Sequence, residues 1–211
     1  MATAPPPSSV GTLFLGGGNS AGYFAAEYDK IVSADPSLKD SAFGGSLAVV
    51  SSEQSLSYER PALSKAYLAP KNPARLPGFH ACVGGGGERQ ERGWYEARGI
   101  KYLLGSEVAK IDAAAREATL ADGTVLQWGK LVVATGARPV DLARDFKMPG
   151  AGGGEGNEGG APSNVFYLRD VADADELYAA LEKQAAAASV GSDGGSGGAR
   201  PLVIGGGYIG E

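Results

Sequence analysis

Two glycine-rich turns, one near each end of the chain, are the residues best suited to chemistry. The first reads Thr12-Leu-Phe-Leu-Gly16-Gly17-Gly18-Asn19-Ser20-Ala21-Gly22, and the second Pro201-Leu-Val-Ile-Gly205-Gly206-Gly207-Tyr208-Ile209-Gly210-Glu211. Each follows a short apolar run suited to a buried parallel strand, with glycine at the first and third positions of the G-x-G-x-x-G/A pattern. Those glycines permit a tight turn and let backbone N–H groups come close to a pyrophosphate. A helix behind the turn aims its N-terminal partial positive charge at the same anion. One such turn is weak evidence. Two in one chain point to two nucleotides whose reactive ends meet, a flavin and a nicotinamide.

A second set of residues stands near the first turn in sequence. Tyr58-Glu59-Arg60-Pro61-Ala62-Leu63-Ser64-Lys65-Ala66-Tyr67-Leu68 carries two cations, Arg60 and Lys65. Pro61 suits the first turn of a helix, along which Lys65 would project one turn further. The pair would stand near the C-terminal edge of the sheet, where open α/β folds bind ligands. Glu53 closely follows the second apolar run, where this architecture often places a carboxylate on the adenosine ribose. Its distance from Gly16 exceeds the usual roughly 20–30 residues, and Lys39–Gly45 accounts for the excess as an inserted loop. An exposed strand-end carboxylate is the equal alternative. The chain has one cysteine, Cys82, and one histidine, His80. That excludes a cysteine pair, a Cys/His zinc site and an intrachain disulfide, and no metal site is expected. Both residues read as packing or loop anchors, with a redox-sensing Cys82 as the minor reading.

Composition narrows the setting. Hydrophobic residues make up 43% of the 211, ample for a core, and the net charge of −5 comes without a basic stripe. Nucleic acid is therefore not an expected partner. No apolar run approaches the roughly 20 residues of a membrane span. The N-terminus lacks the features of a secretory or transit peptide, which makes the cytoplasm the default location, with a peroxisomal or other organellar one left open. Glycine totals 34 residues, concentrated in Ala151–Gly160 and Gly191–Gly198, which read as solvated linkers.

These residues need elements to position them. Gly11–Leu15, Ser46–Ser51 and Lys101–Gly105 read as parallel strands, and Ser20–Val32 and Glu88–Arg98 as helices. Glu107–Asp112, Glu117–Ala121 and Thr124–Trp128 read as a small antiparallel meander turning at Asp122-Gly123. Leu131–Thr135 is a further buried strand, ending in Ala-Thr-Gly136. Val165–Arg169 is extended, and Val171–Ala188 is a helix with Asp173, Asp175 and Glu176 in its first turn. The expected fold class is α/β: a Rossmann-like FAD-binding domain with an antiparallel meander, then the start of a second Rossmann-like NAD(P)-binding domain. The boundaries predicted are a disordered tail over 1–11, the first domain over 12–148, a glycine-rich insert over 149–163 and the second domain over 164–211.

These segments, in this order, resemble the two-dinucleotide-domain flavoprotein reductases, and among them the plant and algal monodehydroascorbate reductases. The narrower resemblance rests on residues 16–23, 58–68, 74–84, 86–90, 166–169 and 205–210, with Pro77-Gly-Phe-His80-Ala-Cys82-Val-Gly84 the most specific stretch. It implies FAD and NADH or NADPH as cofactors, with the monodehydroascorbate radical as small-molecule substrate. It further implies that Gly16, Gly17, Gly18 and Asn19 hold the FAD pyrophosphate and Glu53 the adenosine ribose. Arg60 and Lys65 would lie along the flavin and pyrophosphate, with Lys65 the catalytic cation near the reactive ring edge. Val108 would cover the adenine through its backbone, and Arg169 would contact the flavin end. Gly205, Gly206, Gly207, Tyr208, Ile209, Gly210 and Glu211 would form the nicotinamide-dinucleotide turn.

Family members carry a glutamate one position beyond Glu211 to pair with the lysine, so that role is not given to Glu211. The chain is expected to be an N-terminal part of a reductase with little activity by itself. Two other readings stay open: a ferredoxin- or rubredoxin-reductase-type flavoprotein, and a non-catalytic nucleotide-binding fragment.

Overall fold

A computed structural model of the chain describes residues 8–40, 46–68, 88–140, 165–190 and 202–203. The second glycine turn, His80, Cys82 and the two glycine-rich linkers lie outside these residues. The chain divides into two compact units, residues 1–59 with 75–136, and residues 60–74 with 137–211.

The first unit is built on a six-stranded mixed sheet in the order β3-β2-β1-β6-β5-β4. Its elements are β1 (Ser8–Leu15), α1 (Asn19–Ala34), β2 (Leu47–Val50), α2 (Arg92–Ala97) and β3 (Lys101–Leu103). They continue as β4 (Val108–Asp112), β5 (Glu117–Leu120) and β6 (Val125–Val133). β1 pairs in parallel with β2 on one side and β6 on the other, and β2 pairs in parallel with β3. The chain thus winds from β1 toward β3, then returns to the far side of β1. Open α/β sheets bind ligands at such a reversal, at the carboxyl ends of the strands.

Both faces of the parallel strands are covered, which is why Leu47-Ala-Val-Val50 is apolar throughout and wholly buried. One face packs Leu13, Leu15, Ala48 and Val50 against Ala118, Leu120, Leu126 and Trp128 of the meander. The other packs Phe14, Leu47 and Val49 against Ala21, Ala25 and Ala26 of α1 and Trp94 and Tyr95 of α2. The small residues Ala21, Gly22 and Ala25 let α1 lie close to the sheet. Each large apolar side chain fully buried here contributes about 1.5–3 kcal/mol.

Four expectations on local structure are corrected. Strand β1 begins at Ser8, inside the expected disordered tail, because Ser8, Ser9 and Val10 find partners at Leu126, Gln127 and Trp128. The expected strands at 124–128 and 131–135 are one strand, β6. Its first half is flanked by β1 and β5 and its second half runs beside β1, so nothing interrupts it at Gly129. The helix expected from Glu88 begins only at Arg92. Gln90 is fully buried, and its Nε2 donates to the Gly22 carbonyl at 2.8 Å while Tyr95 donates to its Oε1 at 3.1 Å. That reach across to α1 needs extended backbone. Arg98 then joins α2 to α1 through Asp29 at 2.8 Å, with its guanidinium 4.1 Å from the Trp94 ring centre.

The fourth correction falls in the second unit. Residues 60–68 form two 3-10 turns, Arg60–Ala62 and Ala66–Leu68, instead of an α-helix. Their backbone bonds span three residues, from Leu63 to Arg60 and from Leu68 to Lys65, the tighter winding typical of short pieces. Helix α3 (Val171–Val190) belongs to the same unit. Tyr67 donates to the Asp175 carboxylate at 2.7 Å, so the turns and α3 are joined directly.

Candidate nucleotide site

The first glycine turn sits where three strand ends converge. The Gly16 N–H donates to the Val50 carbonyl at 2.9 Å, and the Ala134 N–H donates to the Leu15 carbonyl at 2.8 Å. Gly16 has φ +116°, and a Cβ there would collide with the Ala134 carbonyl. A Cβ on Gly17 would collide with the Ser51 hydroxyl. Glycine is thus required at both positions by the crowding of β2 and β6 around the turn.

Beyond the turn, Gly18 caps α1 in extended geometry, with no side-chain cap and no acidic residue in the first helical turn. Among the described residues, the amides of Gly17, Gly18 and Asn19 donate to no protein acceptor. The Asn19 Oδ1 is buried and has no partner among them. A 16-residue helix with its first donors left open is suited to an external anion.

Glu53 stands on the loop after β2, beside the loop after β3. Ser106 donates to the Ser51 carbonyl at 2.8 Å and Gly105 to the Glu53 carbonyl at 2.9 Å. Its carboxylate accepts from the Tyr58 hydroxyl at 2.8 Å, and its backbone N–H donates to the Ser51 hydroxyl at 3.2 Å. Val108 begins β4 two residues beyond Ser106, half-buried against the meander core. The structure therefore gathers Gly16–Asn19 at the strand reversal, and it ties Glu53 and the approach to Val108 to the neighbouring strand ends.

Arg60, Lys65 and Arg169 fall in the second unit. Arg60 Nη1 donates to the Arg169 carbonyl at 2.8 Å, joining two residues selected from sequence alone. Lys65 is exposed, and its Nζ donates to the Ser64 hydroxyl at 3.3 Å. The Arg169 N–H donates to Asp173 at 2.7 Å within the cap of α3. Gly205–Glu211 lie outside the described residues.

Sequence reasoning missed Ser51, Ser57, Gln90 and Tyr102, and it did not use Tyr58. Ser57, Gln90 and Tyr102 touch their partners through long-range hydrogen bonds that no local spacing marks, while Ser51 and Tyr58 bond Glu53 from two and five residues away. A separate cavity of about 620 Å³ opens at the other end of the parallel strands, beside Ser8, Lys101 and Thr124. Its lining includes Tyr102, whose hydroxyl reaches the Gly17 carbonyl from the other side. Among the described residues no cluster of metal-binding side chains occurs, and no helix is long and apolar enough to cross a membrane.

A glycine turn at a strand reversal, opening into an uncapped helix, defines a dinucleotide-binding α/β protein. Residues 12–211 match the pyridine nucleotide-disulphide oxidoreductase family, and the chain belongs to it. It is 42% identical over 198 residues to a monodehydroascorbate reductase of Pisum sativum, covering 94% of this chain and 39% of the relative. The cytosolic monodehydroascorbate reductase 4 of Oryza sativa is 40% identical, with 94% and 38% covered. The chain thus spans about two-fifths of the length of these relatives. Among solved structures, the putidaredoxin reductase–putidaredoxin complex is 26% identical with a TM-score of 0.56, over 82% of this chain and 34% of that one. A ferredoxin reductase from Rhodopseudomonas palustris is 25% identical with a TM-score of 0.56, over 82% and 35%.

Proposed function

We propose that the protein carrying this chain is a flavin-dependent monodehydroascorbate reductase. It takes a hydride from NADH or NADPH and delivers single electrons to monodehydroascorbate radicals, regenerating ascorbate. The observation that carries this reading is the 42% identity across 94% of the chain to the pea reductase. The ferredoxin-type neighbours reach only 25–26%.

The residues present fit FAD. Open amides at Gly17–Asn19, the unpartnered Asn19 oxygen and a carboxylate at Glu53 match a pyrophosphate, an adjoining polar group and a ribose diol. Gly16, Gly17, Gly18 and Asn19 hold the pyrophosphate, and Glu53 accepts from the ribose hydroxyls. Val108 offers its backbone to the adenine, while Arg60, Lys65 and Arg169 serve the flavin end. The second turn, Gly205–Glu211, holds the nicotinamide dinucleotide. Bound FAD supplies the conversion of a two-electron donor into one-electron deliveries, which no side chain provides.

The chain's own residues supply placement and charge. The amides at the start of α1 offset the pyrophosphate charge at no cost of reorganisation. Lys65 would supply a positive charge to the flavin end of the bound group. No step requires a histidine base. The relatives carry cytosolic, peroxisomal and chloroplast names, and a cytosolic location is the reading proposed for this protein.

The test is to load the protein with FAD, supply NADH, and generate the radical with ascorbate and ascorbate oxidase. Radical-dependent NADH oxidation is the expected result. Turnover only with an iron–sulfur protein would make it a ferredoxin-reductase-type enzyme, and nucleotide binding without turnover would leave a non-catalytic binding module.

A further inference from the structure

Three hydroxyls, two on buried residues and one on the half-buried Tyr102, connect the two parts of the nucleotide cradle, and none of them belongs to the glycine pattern. Ser57 and Tyr58, adjacent on the loop after β2, are each only 1% exposed. From this dipeptide the side chains serve two different groups. The Tyr58 hydroxyl donates to Glu53 Oε2 at 2.8 Å. The Ser57 hydroxyl lies 2.9 Å from the Tyr102 hydroxyl, which donates to the Gly17 carbonyl at 3.3 Å. With the Tyr102 proton committed to Gly17, Ser57 is the donor to Tyr102. The Tyr102 ring is held edge-on by Tyr95 with 4.9 Å between ring centres.

Each contact acts on a group that would face a ligand. An ionised carboxylate accepts at about four lone-pair sites, so one bond from Tyr58 orients Glu53 without saturating it. The Gly17 carbonyl and the Gly18 N–H belong to one peptide group. Hydrogen bonds in series polarise one another, so a donor on that carbonyl makes the Gly18 N–H a stronger donor. It also fixes the plane of the peptide.

We propose that Ser57, Tyr58 and Tyr102 form a hydroxyl brace that positions the adenosine-diphosphate cradle. Tyr58 aims Glu53 at the ribose diol, and the Ser57–Tyr102 pair sets the Gly17–Gly18 peptide for the pyrophosphate. This rests on the reading of the first turn as the FAD site. All three are positioning residues that act through Glu53 or the turn.

Truncated ligands separate positioning from a general structural role. The full chain and its Tyr58→Phe, Tyr102→Phe, Ser57→Ala and Ser57→Thr variants would be titrated with ADP, 2′,3′-dideoxy-ADP and adenosine. Calorimetry suits the tighter ligands and ligand-detected NMR the weaker ones. Tyr58→Phe is expected to weaken ADP about tenfold but dideoxy-ADP by less than about twofold, since the diol is already absent. Tyr102→Phe and Ser57→Ala are expected to weaken ADP about threefold while leaving adenosine nearly unchanged, and Ser57→Thr restores ADP binding. Losses spread equally over all three ligands, or no loss at all, would overturn the brace while leaving the nucleotide site intact. A wild-type chain that binds no ADP would overturn the site, and the brace with it.

Discussion

The two long helices begin in opposite ways. At the start of α1 there is no side-chain cap and no acidic residue in the first turn. At the start of α3, Asp173 accepts from the amides of Arg169 and Asp170 at 2.7 and 3.1 Å, and Asp170 accepts from the Asp173 amide at 3.1 Å. That reciprocal arrangement is a capping box with aspartate in the usual glutamate position. Tyr67 and Arg60 close the same end further, on Asp175 and the Arg169 carbonyl. A helix start closed by its own carboxylates has committed the amides around its cap to structure. One left bare keeps them for an anion from outside, at a cost in helix stability of about 1 kcal/mol. The difference separates a structural helix from a binding one.

The largest effect should come from removing the geometry that leaves α1 open. Gly16→Ala forces a side chain into a positive-φ position against the Ala134 carbonyl. We expect destabilisation on the order of 3 kcal/mol and loss of nucleotide binding, read by denaturant unfolding and an FAD titration. Next, Asn19→Asp gives α1 the acidic first turn it lacks. The helix should gain about 0.5 kcal/mol while ADP binding weakens roughly tenfold. Unchanged ADP affinity would mean the bare terminus is not an anion site.

The reverse experiment is Asp173→Ala, which strips the cap from α3. Stability should fall by about 1 kcal/mol with ADP affinity within twofold of wild type, so a matching loss of affinity would erase the contrast between the helices. The smallest effect belongs to the exposed meander turn. The Thr124 amide holds the Asp122 carboxyl below its ordinary value of 3.8. A lowered folded-state value stabilises the fold above that ordinary value, and the contribution fades as pH drops through the folded one. Asp122→Asn should therefore flatten the stability profile only below about pH 4. Nucleotide affinity at neutral pH should not move, which makes this variant a control for the other three.

Much of the site was legible because its signals are local. The first glycine of the pattern, Gly16, announces a close backbone approach, and the Asp122-Gly123 turn forms as its residues suggest, with Gly123 at φ +87°. Asp173 was expected in the first turn of α3 for the helix dipole, and the structure adds that it also caps the helix. Legibility failed where distant residues decided the outcome. Gln90 lies in a stretch with a helical pattern, but a fully buried amide must find partners, and those at Gly22 and Tyr95 hold the chain extended. Tyr102 reads as an ordinary strand aromatic until the Gly17 carbonyl is found beside its hydroxyl.

The sequence alone determined which turns can approach a phosphate, which runs are buried parallel strands, and where acidic residues open a helix. These follow from backbone permission and periodicity, properties of neighbouring residues. Only the tertiary structure decided that β6 is continuous, that residues 60–68 wind as 3-10 turns, and that Ser57, Tyr58 and Tyr102 stand behind the cradle. The continuity of β6 and the Ser57–Tyr102 pair depend on partners tens of residues away, and local pattern carries no record of them.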